Sequence, residues 1–203
     1  MRCTSYPCTK PDSGSTGTNL QALIDAKITG TEIVLVLSNR KNAHGLVRAA
    51  EASIPSAYLA LQPYLKSNPD KTRDDYDGEV ARMVLDVNPD LVVLAGWMHI
   101  FGEGFLEPLE ARGVPAINLH PALPGAFDGA NALERAYEAF QRGEVGGLGA
   151  MVHRVVKDVD RGAPIVVRDV AIEHGESLED VAARVHAVEH EIIVEAVRRV
   201  LDA

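Results

Sequence analysis

Three residues of this chain have the types and spacing needed for acyl-transfer chemistry. Asn118 and His120 lie in Asn118-Leu119-His120-Pro121, and Asp160 follows further along in Val159-Asp160-Arg161-Gly162. An amide donor can stabilise a developing oxyanion, an imidazole can move a proton, and a carboxylate can orient and charge the imidazole. Asn118 and His120 sit at the end of the apolar run from Val114 to Leu119. On a strand, residues two apart point to the same face, so both side chains can converge on one substrate carbonyl while Leu119 faces the core. A neighbouring loop carrying Asp160 completes the set.

A second chemical signal is the small-residue loop Gly14-Ser15-Thr16-Gly17-Thr18-Asn19, which runs into a helix. Glycine lets backbone approach an anion closely, and the orphan amides of a helix N-terminus bind phosphate. Such a loop is expected to follow a buried strand. The preceding segment, Met1–Pro11, instead has no apolar run and contains Pro7 and Pro11. Because proline removes a ladder donor, residues 1–10 are expected to pair poorly or not at all within a sheet.

The elements that must position these residues follow from patterning. At 203 residues and 46% hydrophobic, the chain can bury one sizeable core, and a single α/β domain is the economical reading. Runs at Glu32–Leu37, Ser56–Leu61, Leu91–Ala95 and Val114–Leu119 read as buried strands. Helical spacing covers Asn19–Ala26, Ala43–Ala52, Asp74–Val87, Glu103–Ala111 and Asn131–Arg142. Strands alternating with helices imply right-handed crossovers and a mostly parallel sheet with helices on both faces. The pattern then changes: Ala150–Val156 and Pro164–Ile172 are close enough to form an antiparallel hairpin, and a long helix from Ser177 to Leu201 closes the chain, with Ser177 and Asp180 as an acidic capping box. Pro63–Asp77, the most polar region, reads as a mobile connection.

The net charge of −9 argues against a nucleic-acid or anionic-membrane partner. No apolar run approaches the length of a membrane span, and the N-terminus lacks the apolar segment of a secretory signal, so a soluble, cytoplasmic protein is expected. The two cysteines, Cys3 and Cys8, make no metal-ligand set.

Four ordered blocks, Gly17–Asp25, Val92–Met98, Ile117–Gly125 and Asp160–Ile165, together resemble the phosphoribosylglycinamide formyltransferases, folate-dependent enzymes of purine synthesis with a Rossmann-like fold. The resemblance runs from about Gly14 to the end, dividing the chain into an atypical segment 1–13, with the first strand atypical or missing, and a formyltransferase domain 14–203. The wording of Pro121–Ala132 is similar to fungal forms.

The resemblance implies transfer of a formyl group from 10-formyltetrahydrofolate to the amine of glycinamide ribonucleotide by direct attack, with no metal. It gives Asn118 the oxyanion, His120 the charge or proton shuttle, and Asp160 the support of the imidazolium. It assigns Gly17, Thr18, Asn19 and Arg73 to the ribonucleotide phosphate, Glu189 to the glycinamide end, and Gly96 and Met98 to the shared channel. Met98, His99, Ile100 and Phe101 would lie beside the pteridine, and Val156, Lys157, Asp158 and Asp160 would line the folate pocket. His99 stands where relatives often carry Arg.

Methionyl-tRNA formyltransferase and formyltetrahydrofolate deformylase share this core, but usually carry an added domain for which the chain has no room. A deformylase-like hydrolase remains the alternative, as does an inactive homologue or a gene model with a wrong 5′ end. Small-molecule substrates and a monomer or homodimer are expected.

Overall fold

The computed structural model describes residues 2–5 and 17–203. The chain divides into two compact units, Met1–Ile117 and Asn118–Ala203. In the first, strands β1 (Arg2–Ser5), β2 (Glu32–Ser38), β3 (Ser56–Tyr58) and β4 (Leu91–Leu94) alternate with helices α1 (Thr18–Ala26), α2 (His44–Glu51), α3 (Leu61–Ser67), α4 (Arg73–Leu85) and α5 (Glu103–Ala111). The sheet order in this unit is β3-β2-β1-β4, and β5 (Ala116–His120) follows α5 in the chain. The β2–β3, β1–β2 and β1–β4 pairs are all parallel. Val36, Leu37, Leu91, Val92 and Val93 are fully buried, as expected of strands covered on both faces.

The expectation that residues 1–10 pair poorly is overturned for Arg2–Ser5. This segment takes the slot between β2 and β4, with Cys3 opposite Ile33 on one side and Leu91 on the other, and a register shift between Cys3 and Thr4. Ladder bonds come from main-chain groups, so a polar sequence can fill a slot whose two neighbours supply the partners. Pro7 and Pro11 follow the strand and remove no donor from it. Cys8 and the loop residues Gly14, Ser15 and Thr16 lie outside the described residues.

The supposed mobile connection Pro63–Asp77 is largely helical. Leu61, expected to end a strand, opens α3, and Pro63 falls in its first turn, where a missing N–H costs nothing. Thr72 then caps α4: its side chain accepts from the Asp75 N–H at 3.2 Å, and Asp75 Oδ2 accepts from the Thr72 N–H at 2.8 Å. This is a capping box with aspartate in place of glutamate.

In the second unit β5, β6 (Leu148–Arg154) and β7 (Pro164–Val170) lie in that order, with α6 (Ala132–Gln141) and α7 (Leu178–Leu201). The expected hairpin is present: β6 and β7 pair antiparallel, Leu148 opposite Val170, with a register shift between Val152 and His153. Leu133, Ala136 and Phe140 of α6, Leu148 and Val170 of the hairpin, and Val181 and Val185 of α7 form one buried cluster. Ser177 caps α7 by accepting from the Asp180 N–H at 3.1 Å, while its hydroxyl donates to the Asp180 carboxylate at 2.6 Å. Among the described residues no helix is long and apolar enough to cross a membrane.

Candidate active site

The β5 sequence Ala-Ile-Asn-Leu-His buries Ile117 and Leu119 in the core and carries Asn118 and His120 on the other face. Both side chains meet Asp160, which occupies the turn after β6. Asn118 Nδ2 donates to Asp160 Oδ1 at 3.2 Å, and His120 Nδ1 lies 3.4 Å from Asp160 Oδ2. The carboxylate is further held by the Gly129 N–H, which donates to Oδ2 at 2.7 Å. Asp160 itself has φ +56, a left-handed conformation that aspartate tolerates better than most residues. The three residues picked out by type and spacing are therefore brought together.

The sequence reading missed a fourth, His153. Its Nε2 lies 3.4 Å from Asp160 Oδ1 and 3.3 Å from Asn118 Nδ2. A carbonyl oxygen only accepts, so the 2.8 Å contact to Arg154 O places a proton on Nδ1. His153 Nε2 therefore faces both the Asn118 amide and the Asp160 carboxylate. The irregularity between Val152 and His153 is the local device: a bulge re-aims the side chain that follows it. In the sequence the only signal is a histidine inside an apolar run, which reads as core.

Burial is the largest influence on His120 and pushes its pKa below the ordinary histidine value. Asp160 opposes that shift, and His153 adds to it. Burial alone would raise the Asp160 carboxyl, but His153, the Gly129 N–H and the His120 imidazole outweigh it and hold the group below the usual carboxylate range. Asp160 is thus a carboxylate at neutral pH, and His120 is a neutral imidazole with a buried Nε2 that makes no hydrogen bond among the described residues. At His120 desolvation outweighs the carboxylate.

Burial also lowers His186 and His190 of α7. All three histidines bind a proton more readily in the unfolded chain than in the folded one. Stability is therefore expected to be full above the unfolded histidine value of about 6.5 and to decline as pH falls below it toward the folded values. A melting series between about pH 8 and pH 5 checks this; a midpoint that holds or rises on acidification contradicts it.

The first unit carries the other residues singled out by sequence. Gly17 caps α1 at φ +71, and a methyl there would meet the Gly45 backbone at 3.0 Å, so any side chain at this position is crowded and strained. Thr18 and Asn19 form the first turn of α1. Gly96 has φ +73 and opens a segment that alternates inward and outward. Trp97 and Phe101 are buried with their rings stacked, centroids 5.2 Å apart, while Met98 and Ile100 are 45% and 54% exposed. His99 turns inward, its Nε2 2.6 Å from Asp77 Oδ1, and Asp77 Oδ2 accepts from the Gly102 N–H at 2.8 Å. Arg73 donates to the Ile100 carbonyl at 2.5 Å. Outward, this segment offers two apolar side chains and backbone.

In the second unit Glu189 of α7 is buried at 7% exposure, unlike an ordinary surface acid on a helix. Val156, Lys157 and Asp158 are exposed between β6 and Asp160.

Residues 13–197 match the formyl transferase family model. The chain belongs to that family and, within it, to the phosphoribosylglycinamide formyltransferases. It is 49% identical to the phosphoribosylglycinamide formyltransferase of Schizosaccharomyces pombe over 195 residues, covering 93% of this chain and 94% of that one. Identity to the Saccharomyces cerevisiae enzyme of the same name is 44%, with the same two coverages. Among solved structures, glycinamide ribonucleotide transformylase 1 of Symbiobacterium toebii superposes with a TM-score of 0.82 at 32% identity, over 97% of this chain and 85% of that chain. The fungal wording of Pro121–Ala132 agrees with these relatives.

Proposed function

We infer that this chain transfers the formyl group of 10-formyltetrahydrofolate to the amine of glycinamide ribonucleotide, a step of purine synthesis. The observation that carries the reading is the buried set Asn118, His120, His153 and Asp160, centred on one carboxylate, in a chain of this family. As the amine attacks the formyl carbon, negative charge builds on the formyl oxygen, where the Asn118 amide donates. His120 Nε2 takes the proton of the attacking amine and returns it to the folate nitrogen as the bond between that nitrogen and the formyl carbon breaks, and Asp160 stabilises the imidazolium that forms in between. Proton transfer is helped by a histidine that rests neutral and is charged only transiently. Toward the folate we assign Val156, Lys157 and Asp158 of the second unit and, of the first, Met98 and Ile100 by their exposed side chains and His99 and Phe101 by their backbone.

Gly17, Thr18, Asn19 and Arg73 take the ribonucleotide phosphate, Gly96 and Met98 line the channel, and Glu189 binds the glycinamide ammonium. Glu189→Gln is expected to raise the KM for the ribonucleotide about tenfold or more, the loss of one hydrogen bond to a charged group, with the folate KM nearly unchanged. Equal loss for both substrates would assign Glu189 a structural role.

The direct test is an assay with both substrates, followed at the folate chromophore. Folate turnover that requires the ribonucleotide supports the transferase. Turnover at the same rate without it would mean water is the acceptor and the chain is a deformylase-like hydrolase.

A further inference from the structure

The loop joining β5 to α6 has an unusual backbone. Four alternate residues have positive φ: Gly125 at +77, Phe127 at +54, Gly129 at +82 and Asn131 at +55. For Phe127, unlike Asn131, this conformation persists only when the surroundings impose it. Arg135, in the first turn of α6, does so. Its Nη2 donates to the carbonyl oxygens of Phe127 and Asp128, each at 2.7 Å, and its Nε donates to that of Ala130 at 3.2 Å. The guanidinium carbon also lies 5.9 Å from the centroid of the Phe127 ring.

One of those carbonyls has a second consequence. The Asp128 C=O and the Gly129 N–H belong to the same peptide group, and the Gly129 N–H donates to Asp160 Oδ2. A single planar peptide therefore carries a cation at its oxygen and a carboxylate at its nitrogen. Planarity means that fixing the carbonyl direction fixes the N–H direction. Hydrogen bonds in series also polarise one another, so the guanidinium makes the Gly129 N–H a better donor.

We propose that Arg135 is a positioning residue for Asp160, acting through the Asp128–Gly129 peptide to hold the carboxylate between His120 and His153. The groups facing Asp160 are His120 and Asn118 from β5, His153 from β6 and the Gly129 N–H from the loop. Beside them, Arg161 pairs with Asp128 at 2.5 Å and ties the loop to the residue after Asp160. That ion pair holds the Asp128 side chain, whereas Arg135 holds the peptide that meets the carboxylate.

Asp160 and, more weakly, Asp128 raise the proton affinity of His120 against burial, so loosening this loop and its carboxylates has a readable sign. In Arg135→Ala, the His120 ring-proton titration followed by NMR is expected to move to lower pH. The His190 titration on α7 should stay where it is, which reports that the fold is intact. Arg135→Lys keeps the charge without the fork, so a smaller shift of the same sign is expected, and this variant stands in if the alanine protein does not fold. The kinetic consequence rests on the formyl-transfer reading: kcat should fall about tenfold, the scale of one charge-assisted hydrogen bond, with both KM values nearly constant. In an Asp160→Asn background the same Arg135 substitution should cost little, since the two act as one unit. An unmoved His120 titration, or the same tenfold loss with Asp160 already replaced, overturns the proposal. Absence of formyl transfer in the unaltered enzyme would instead count against the functional reading, and the titration would still decide the role of Arg135.

Discussion

Replacing Asn118 by alanine is expected to lower kcat by about 10²–10³-fold, with both KM values changed far less. The side-chain amide is placed by three independent restraints. Its backbone lies in β5 with buried Leu119 beside it, and its Nδ2 hydrogens reach Asp160 Oδ1 at 3.2 Å and His153 Nε2 at 3.3 Å. Both distances are at or beyond the long edge of the usual N–H···O range. A formyl oxygen gaining negative charge can therefore draw one hydrogen away from a weak internal contact. In the ground state the same oxygen is a neutral carbonyl and competes less well, so the donation is largely confined to the transition state and registers in kcat rather than in KM. Steady-state kinetics with each substrate varied in turn checks this. A loss carried wholly by KM, or smaller than about tenfold, would mean that another donor holds the oxyanion. Asn118→Asp should be at least as damaging, because it replaces a donor with a second carboxylate beside Asp160.

Much of this site was legible in the sequence because strand alternation is a short-range rule. Asn118 and His120 two residues apart at the end of an apolar run had to share a face, and Asp160 lay in the turn of a hairpin recognisable from Ala150–Val156 and Pro164–Ile172. His153 was not legible, since its role depends on a register shift in that hairpin, and an irregularity of one residue leaves no trace in hydrophobic patterning. The first strand was misread for a related reason. Composition reports side-chain burial, whereas Arg2–Ser5 is placed by main-chain pairing with β2 and β4. In Pro63–Asp77 a polar surface concealed a proline in a first turn and a Thr72–Asp75 cap, both of which favour helix. The inward turn of His99 likewise depends on Asp77, remote from it in sequence.

Gly162→Ala is expected to disable the enzyme and destabilise it together, though the change is one methyl group outside the set of reacting side chains. A Cβ at position 162 would sit on the carbonyl oxygen of Arg154, with His153 Nδ1 only 3.3 Å away. The obstacle is backbone and cannot rotate aside as a side chain would. Here the hairpin is joined by the Arg154 N–H donating to the Ala163 carbonyl at 3.0 Å, and the same Arg154 carbonyl accepts from His153 Nδ1 at 2.8 Å. Making room for the methyl group therefore opens the ladder and releases His153. It also displaces Asp160, two residues upstream in the same turn. Steric conflict with fixed main chain belongs among the severe classes of substitution, about 3 kcal/mol or more. For a chain of this length that corresponds to a fall in Tm of roughly 6–12 °C. A shift of about 1 Å in Asp160 is enough for a 10²-fold loss in kcat. Gly147→Ala is the matched control, because no atom lies within 4 Å of a Cβ built there, and it should melt and turn over nearly as the unaltered enzyme does. Calorimetry and kinetics on the two variants decide the matter. If Gly162→Ala keeps both its melting temperature and its kcat, the hairpin at residues 153–163 does not hold the Asp160 carboxylate in place.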